Sequence, residues 1–338
     1  MEIGFVNFNQ EALNRANKVM KLLQGQGAID ELGLGRIRDA FSNEMFPGLS
    51  VLQTHTKYFL LMPALYSFLE KTRLSNAREV RERIREYEIA ITRRLIDGSP
   101  EGTVGIIGAD SLNRTSDYVK YDPTYVYQAG MERYGLVNTG GNLYALLCER
   151  SASLQNSPKK QAGTADCGDD AEELAGSKQV FRTCGVDYNF RSKESLDIAL
   201  NQQEATFLKK QIIQRTKGTL LSFLLESGLY ETVTENYVDF EALGELIKDH
   251  VPDNLWAMYS LALRFSRYAM LLRTRFAMIY DKAVEAEDGA HAEEEKFNSL
   301  LMRYHNEFTP DAIQEIVASL HGLVSEHTCK EFCLKAAN

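Results

Sequence analysis

The 338 residues are 44% hydrophobic and 25% charged, the balance of a globular protein long enough for two domains. The formal net charge is −9, which excludes a broadly basic nucleic-acid binder and leaves room only for a local basic patch. No apolar run reaches the roughly 18 residues of a membrane span, and the first residues lack the basic flank and apolar block of a secretory leader, so the expected compartment is the cytoplasm.

In chain order, Ile3 to Phe8 reads as a short β-prone start, followed by a helix over 10–24 capped by Asn9 and ended by Gly25 and Gly27. Asp30 and Glu31 lead into Gly33 and Gly35, a pair of glycines that suggests a sharp turn or a close backbone approach. A second helix is expected from about Arg36 to Met45, burying Ile37, Ala40 and Phe41 while Arg36, Arg38 and Asp39 point elsewhere. Phe46, Pro47 and Gly48 form a turn. Gln53, Thr54 and Lys57 then precede an apolar helix through Tyr58, Phe59, Leu65 and Phe68, in which Pro63 marks the first turn or a kink.

Residues 76–97 make the most charged helix. Val80, Ile84, Tyr87, Ile91 and Leu95 form its apolar stripe, and Arg78, Arg81, Arg83, Arg85, Arg93 and Arg94 alternate with Glu79, Glu82, Glu86 and Glu88. A solvated amphipathic helix is the simpler reading, and a basic face toward phosphate is the functional one. Gly102 to Asp110 has the glycines of a phosphate loop but not its Gly-Lys-Ser/Thr ending, so a packed turn is expected. Tyr118, Tyr121, Tyr125, Tyr127 and Tyr134 follow, suited either to a core with polar tips or to stacking on bases. Pro123 starts a helix through Gly130.

Residues 157–176 are poor in large apolar side chains and read as a linker. Beyond it the chain is helical nearly throughout, and its longest helix, opened by Pro252, carries Arg264, Arg267, Arg273 and Arg275 in an apolar setting. Those arginines suit the covering of aromatic rings, pairing with buried acids, or phosphate binding. A last helix is expected from Thr309.

The five cysteines are read as free thiols. His327, Cys329 and Cys333 lack the further ligand of recognised spacing that a structural zinc site needs, so neither metal nor cofactor is expected. No G-x-S-x-G, H-E-x-x-H or Walker sequence occurs, and Glu294, Glu295 and Lys296 supply the letters of a metal nuclease only on a charged helix.

The order Asp30 to Phe41, Phe46-Pro47-Gly48, Gln53-Thr54 and Lys57-Tyr58-Phe59 resembles an uncharacterised bacterial family. In place of that family's Trp-Ile-Asp-Phe-like opening stands Gly4 to Phe8, and Gly105 to Gly108, Tyr125 to Gly135, Arg264 to Ser266 and Tyr280 resemble its later segments. The resemblance implies an accessory role in phage-defence islands beside helicase-type and phospholipase-D-type partners. It implies no catalytic residues.

The expected fold is mainly α, with two helical lobes at 1–156 and 187–338, a flexible acidic linker at 157–186, and minor β elements near the N-terminus and at 102–108. The expected function is a non-enzymatic accessory subunit of an anti-phage or DNA-restriction assembly that binds partner proteins, with duplex DNA as a further candidate ligand. The alternative is a metal-dependent nuclease or other nucleic-acid hydrolase with an unfamiliar site, for which Asp30, Glu31 and Asp39 are the residues to change. Candidate phosphate contacts are Arg36, Arg38, Lys57, Arg78, Arg81 and Arg85, and the motif residues Asp30, Glu31, Gly33, Gly35, Asp39, Phe41, Pro47 and Gly48 are read as structural.

Overall fold

The computed structural model describes residues 34–114, 118–156, 180–236, 239–283 and 287–307, with 315–316, 318–319 and 324–325. The expected opening strand and first helix, the linker at 157–176 and most of the last helix lie outside these, as do Asp30, Glu31 and Gly33. Among the described residues there are twelve α-helices and no sheet, so the chain is mainly α as its periodicity suggested. The β element expected at 102–108 is a loop, with positive φ at Gly102, Gly105 and Gly108. An isolated antiparallel bridge joins Val137 to Phe181.

Contacts group the chain into a unit of residues 46–230 and a unit of residues 1–45 with 231–338. The first is built around α2 (Tyr58–Leu69), a helix apolar on every side. A helix without a polar face has to be covered all round, and α2 is flanked by α5 (Pro123–Arg133), α6 (Leu143–Asn156) and α7 (Gln202–Arg215). Tyr58, Leu61, Met62, Leu65 and Tyr66 are wholly buried, each burial worth about 1.5–3 kcal/mol before the entropy of ordering is subtracted. Pro63 sits mid-helix rather than in the first turn, because the chain already turns helically through Lys57, whose carbonyl accepts from Leu60 and Leu61.

α3 (Ala77–Gly98) is capped by Asn76, whose side chain accepts from Glu79 N at 3.0 Å, and it packs against α6. Its buried stripe differs from the expected one. Val80, Ile84, Ile91 and Leu95 are buried as expected, while Tyr87 is half-buried and Glu88 and Arg94 are buried beside them. Glu88 follows Ile84 by one helical turn, which places it on the inner face. Arg94 donates to the carbonyls of Glu194 at 2.6 Å, Tyr188 at 3.0 Å and Asn189 at 3.2 Å. The five-donor planar fork of arginine suits several carbonyls from one side chain. Short α4 (Ala109–Arg114) lies beside α3.

The stretch after the linker belongs to this same core. Arg182 N donates to Leu136 O at 2.8 Å, Asn138 N to Val180 O at 3.0 Å, and Phe181, Tyr188, Phe190, Ile198 and Leu208 are buried with α2. The sequence had suggested a separate lobe from 187. These side chains carry too much apolar surface to remain exposed, and the α2 core provides their cover. α8 (Leu220–Ser227) packs on α7, and α9 (Leu229–Asn236) follows.

In the other unit, α1 (Leu34–Met45), α10 (Phe240–Ile247) and α12 (Glu287–Tyr304) pack on the long α11 (Asp253–Ala283). Leu34, Ile37, Phe41 and Met45 form the inner face of α1, with Phe41 5.6 Å from Phe265 between ring centroids. Gly35 lies inside this helix rather than in a turn. Arg267 of α11 joins Glu241 and Glu307, each at 2.6 Å, and its guanidinium lies 4.5 Å from the Tyr304 ring centroid. Arg264 pairs with Glu315 at 2.9 Å, and Arg275 lies over the Phe297 ring at 5.5 Å. Acid pairing and ring cover thus both occur along this helix.

Candidate nucleic-acid interface

The motif residues that carry the family resemblance in the 46–230 unit converge on its core. Phe46 to Leu49 is a turn closed by Leu49 N donating to Phe46 O at 3.2 Å, with Gly48 at φ +86°, a conformation that glycine adopts at little steric cost. A Cβ at Gly48 would stand 2.9 Å from the Tyr134 ring, and one at Gly130 would stand 2.5 Å from Gly48 O. Gln53 Nε2 donates to Gly48 O at 3.1 Å. Tyr127 Oη accepts from Thr54 N at 2.8 Å and His55 N at 2.9 Å and donates to His55 O at 2.8 Å. Thr54 Oγ1 donates to Gly105 O at 2.6 Å, which joins the Gln-Thr motif to the Gly105–Gly108 loop. Ile107 N donates to Tyr58 Oη at 2.9 Å. These motif residues are therefore mutual packing contacts, and Pro47 is itself buried.

Lys57 does not lie on the surface. Its ammonium is 2.8 Å from Glu204 Oε2 and 3.1 Å from Ala199 O, with little of either side chain exposed. Glu204 also accepts from Tyr188 Oη at 2.7 Å and Asn201 N at 2.8 Å. Burial disfavours the Glu204 charge, yet the donors from Lys57, Tyr188 and Asn201 hold its carboxyl below the usual range. Lys57 is thus removed from the candidate phosphate contacts, because phosphate cannot reach a buried, paired ammonium without breaking the core.

Arg36 and Arg38 are exposed on α1, where Arg38 Nη2 meets Asp39 Oδ1 at 2.7 Å. They belong to the other unit. Arg78, Arg81 and Arg85 are exposed along α3, three and four residues apart, and so share a face. Arg78 pairs with Glu82 at 2.9 Å. Arg81 lies over the Tyr144 ring at 4.8 Å and Arg85 over the Tyr118 ring at 5.8 Å.

Next to this face begins α5, capped by Asp122, which accepts from Tyr125 N at 2.8 Å and is followed by Pro123 in the first turn. Burial raises the Asp122 carboxyl, while its bond to Tyr125 N and the charges of Arg85 and Arg81 oppose that rise. Tyr121 and Tyr125 flank the cap, 48% and 61% exposed, with ring centroids 5.1 Å apart. Lys120 Nζ stands 5.3 Å from the Tyr121 ring centroid. The tyrosine cluster therefore divides: Tyr118, Tyr127 and Tyr134 are core, and Tyr121 and Tyr125 are surface.

Beneath this face lies Glu88, fully buried, with Oε1 accepting from Thr124 N at 2.9 Å and Thr124 Oγ1 at 2.6 Å. Tyr66 Oη donates to Thr124 Oγ1 at 2.9 Å. Glu88 Oε2 has no hydrogen-bond partner among the described residues. Burial, then the Asp122 charge, pushes the Glu88 carboxyl up to about 8, against the Thr124 bonds and the Arg85 charge. Among the described residues no group of three His, Cys, Asp or Glu side chains could hold a metal ion.

Glu88, Lys120 and Glu204 were missed as site or network residues in the sequence. Glu88 had a legible signal, since it stands at a stripe position between Ile84 and Ile91. Glu204 had a partial one, as the first-turn acid of a capping box begun by Asn201. No curated protein and no solved structure matches this chain. A family of unknown function, DUF6361, matches residues 1–175 of 338, more than half of the chain and inclusive of the Arg81–Tyr125 face. With a match of that extent, the chain belongs to the DUF6361 family of unknown function.

Proposed function

We propose that this protein is a non-enzymatic DNA-contacting subunit of an assembly that defends bacteria against foreign DNA, with helicase-type and phospholipase-D-type partners supplying the enzymatic steps. The observation that carries the DNA contact is the basic face of α3, where Arg78, Arg81 and Arg85 are exposed in a chain of net charge −9. Arg81 and Arg85 lie over tyrosine rings, and the five N–H donors of a guanidinium suit phosphate oxygens. The assembly and its partners rest on the order of motifs from Asp30 to Phe59 and the resemblance it carries.

The test is binding of labelled duplex DNA across a salt series, with and without magnesium. Phosphate contacts predict affinity that falls steeply with salt, and R78Q/R81Q/R85Q should flatten that slope by about two to three charges. Absence of binding at low salt overturns the DNA contact. Cleavage that requires magnesium overturns the non-enzymatic role.

A further inference from the structure

We infer that Tyr121 and Tyr125, with Lys120, Arg81 and Arg85 around them, form a stacking site for single-stranded DNA. The inference rests on the DNA contact proposed above and narrows it to one form of the ligand.

The argument begins with two tyrosines that the core does not use. Tyr121 and Tyr125 are 48% and 61% exposed while Tyr58, Tyr66, Tyr127 and Tyr134 are wholly buried. Their rings form a pair 5.1 Å apart, tilted by 35°, on the short stretch where Asp122 caps α5. The cap hydrogen bond and Pro123 fix the backbone beneath them, so the two rings stand on a rigid base. Rings placed on a rigid element bind with less loss of side-chain freedom than rings on a loose loop.

Cations stand close to the ring pair. Lys120 stands over the Tyr121 ring, and Arg81 and Arg85 act electrostatically on Asp122, which lies between the two tyrosines in the chain. The combination of ring faces and cations is the one that holds a single strand: bases stack on the rings and the backbone follows the charge. A duplex offers ring faces nothing, because its bases already stack on one another and present only their edges in the grooves. Phosphate contacts alone would serve either form. The exposed ring pair therefore decides for the single strand.

The experiment uses the full chain and three fluorescein-labelled probes, a 15-nucleotide oligo-dT, a 15-base-pair duplex and a 15-nucleotide oligo-rU, read by anisotropy across a salt series. Oligo-dT should bind more tightly than the duplex. Y121A/Y125A should weaken oligo-dT by about 5- to 100-fold for each base that loses its stack, with duplex binding and the salt slope unchanged. Y121F/Y125F should retain the affinity for oligo-dT, since the ring face is kept. Circular dichroism of Y121A/Y125A should match the parent, as neither ring is buried.

Duplex binding with a steep salt slope, together with oligo-dT binding that ignores the tyrosines, overturns this inference and leaves the broader DNA contact standing. Failure of every probe at low salt overturns both. Tighter binding of oligo-rU than oligo-dT overturns the assignment to DNA.

Discussion

Lys57 Nζ lies 2.8 Å from Glu204 Oε2, and both side chains are almost fully withdrawn from water. The two residues are 147 positions apart in the sequence. The pair fixes the start of α2 to the first turn of α7, and the Glu204 carboxylate is shared among Lys57, Tyr188 Oη and the backbone N of Asn201.

Removing one partner leaves the other charge buried without compensation. K57M should therefore destabilise the protein by about 3–5 kcal/mol, read as a lower urea midpoint. Because the Glu204 carboxyl is held below its ordinary value of 4.5, its contribution is present above that pH and is lost as pH falls through the folded value. The gap between K57M and the parent should accordingly be widest near neutrality and narrow in acid. An equal gap at pH 7 and pH 3 would contradict the assignment.

Glu88 has the opposite dependence. Its carboxyl is raised from 4.5 to about 8 in the folded protein, so the unfolded chain releases this proton first. Stability should fall as pH rises from about 4.5 to about 8 and level off above, by an amount on the order of a few kcal/mol. E88Q keeps the shape and the acceptor for Thr124 but cannot ionise. It should remove this part of the pH slope and be more stable than the parent at pH 8 relative to pH 5, measured by thermal unfolding at both.

Gly130 inverts the usual helix rule. Alanine inside a helix normally gains about 1 kcal/mol over glycine. A Cβ here would stand 2.5 Å from Gly48 O and 2.7 Å from Phe59 Cε1. G130A should lose stability by about 1–3 kcal/mol, and G48A should lose stability through its φ of +86° and its 2.9 Å approach to the Tyr134 ring. Thermal melts of both variants check the direction.

Arg267 separates fork geometry from charge. It reaches Glu241 and Glu307 through different nitrogens, at 2.6 Å each. R267K keeps the charge but has a single ammonium in place of the planar fork, so it should keep one contact and lose about 1–2 kcal/mol. R267A should cost more, and the difference is measurable by urea unfolding.

The helical class and most helix positions were legible in the order of residues alone. The periodic apolar residues of α1, the apolar run of α2 and Pro123 in a first turn each act through neighbours within a few residues. The spacing of Arg78, Arg81 and Arg85 puts them on one face of α3, and the structure leaves that face exposed. Tertiary structure decided the rest. Whether Lys57 meets water or Glu204, and whether Tyr121 stands outside while Tyr127 fills the core, depends on partners tens of residues away. Local pattern carries the period of a helix, but the fate of a charge or a ring depends on what the rest of the chain brings against it.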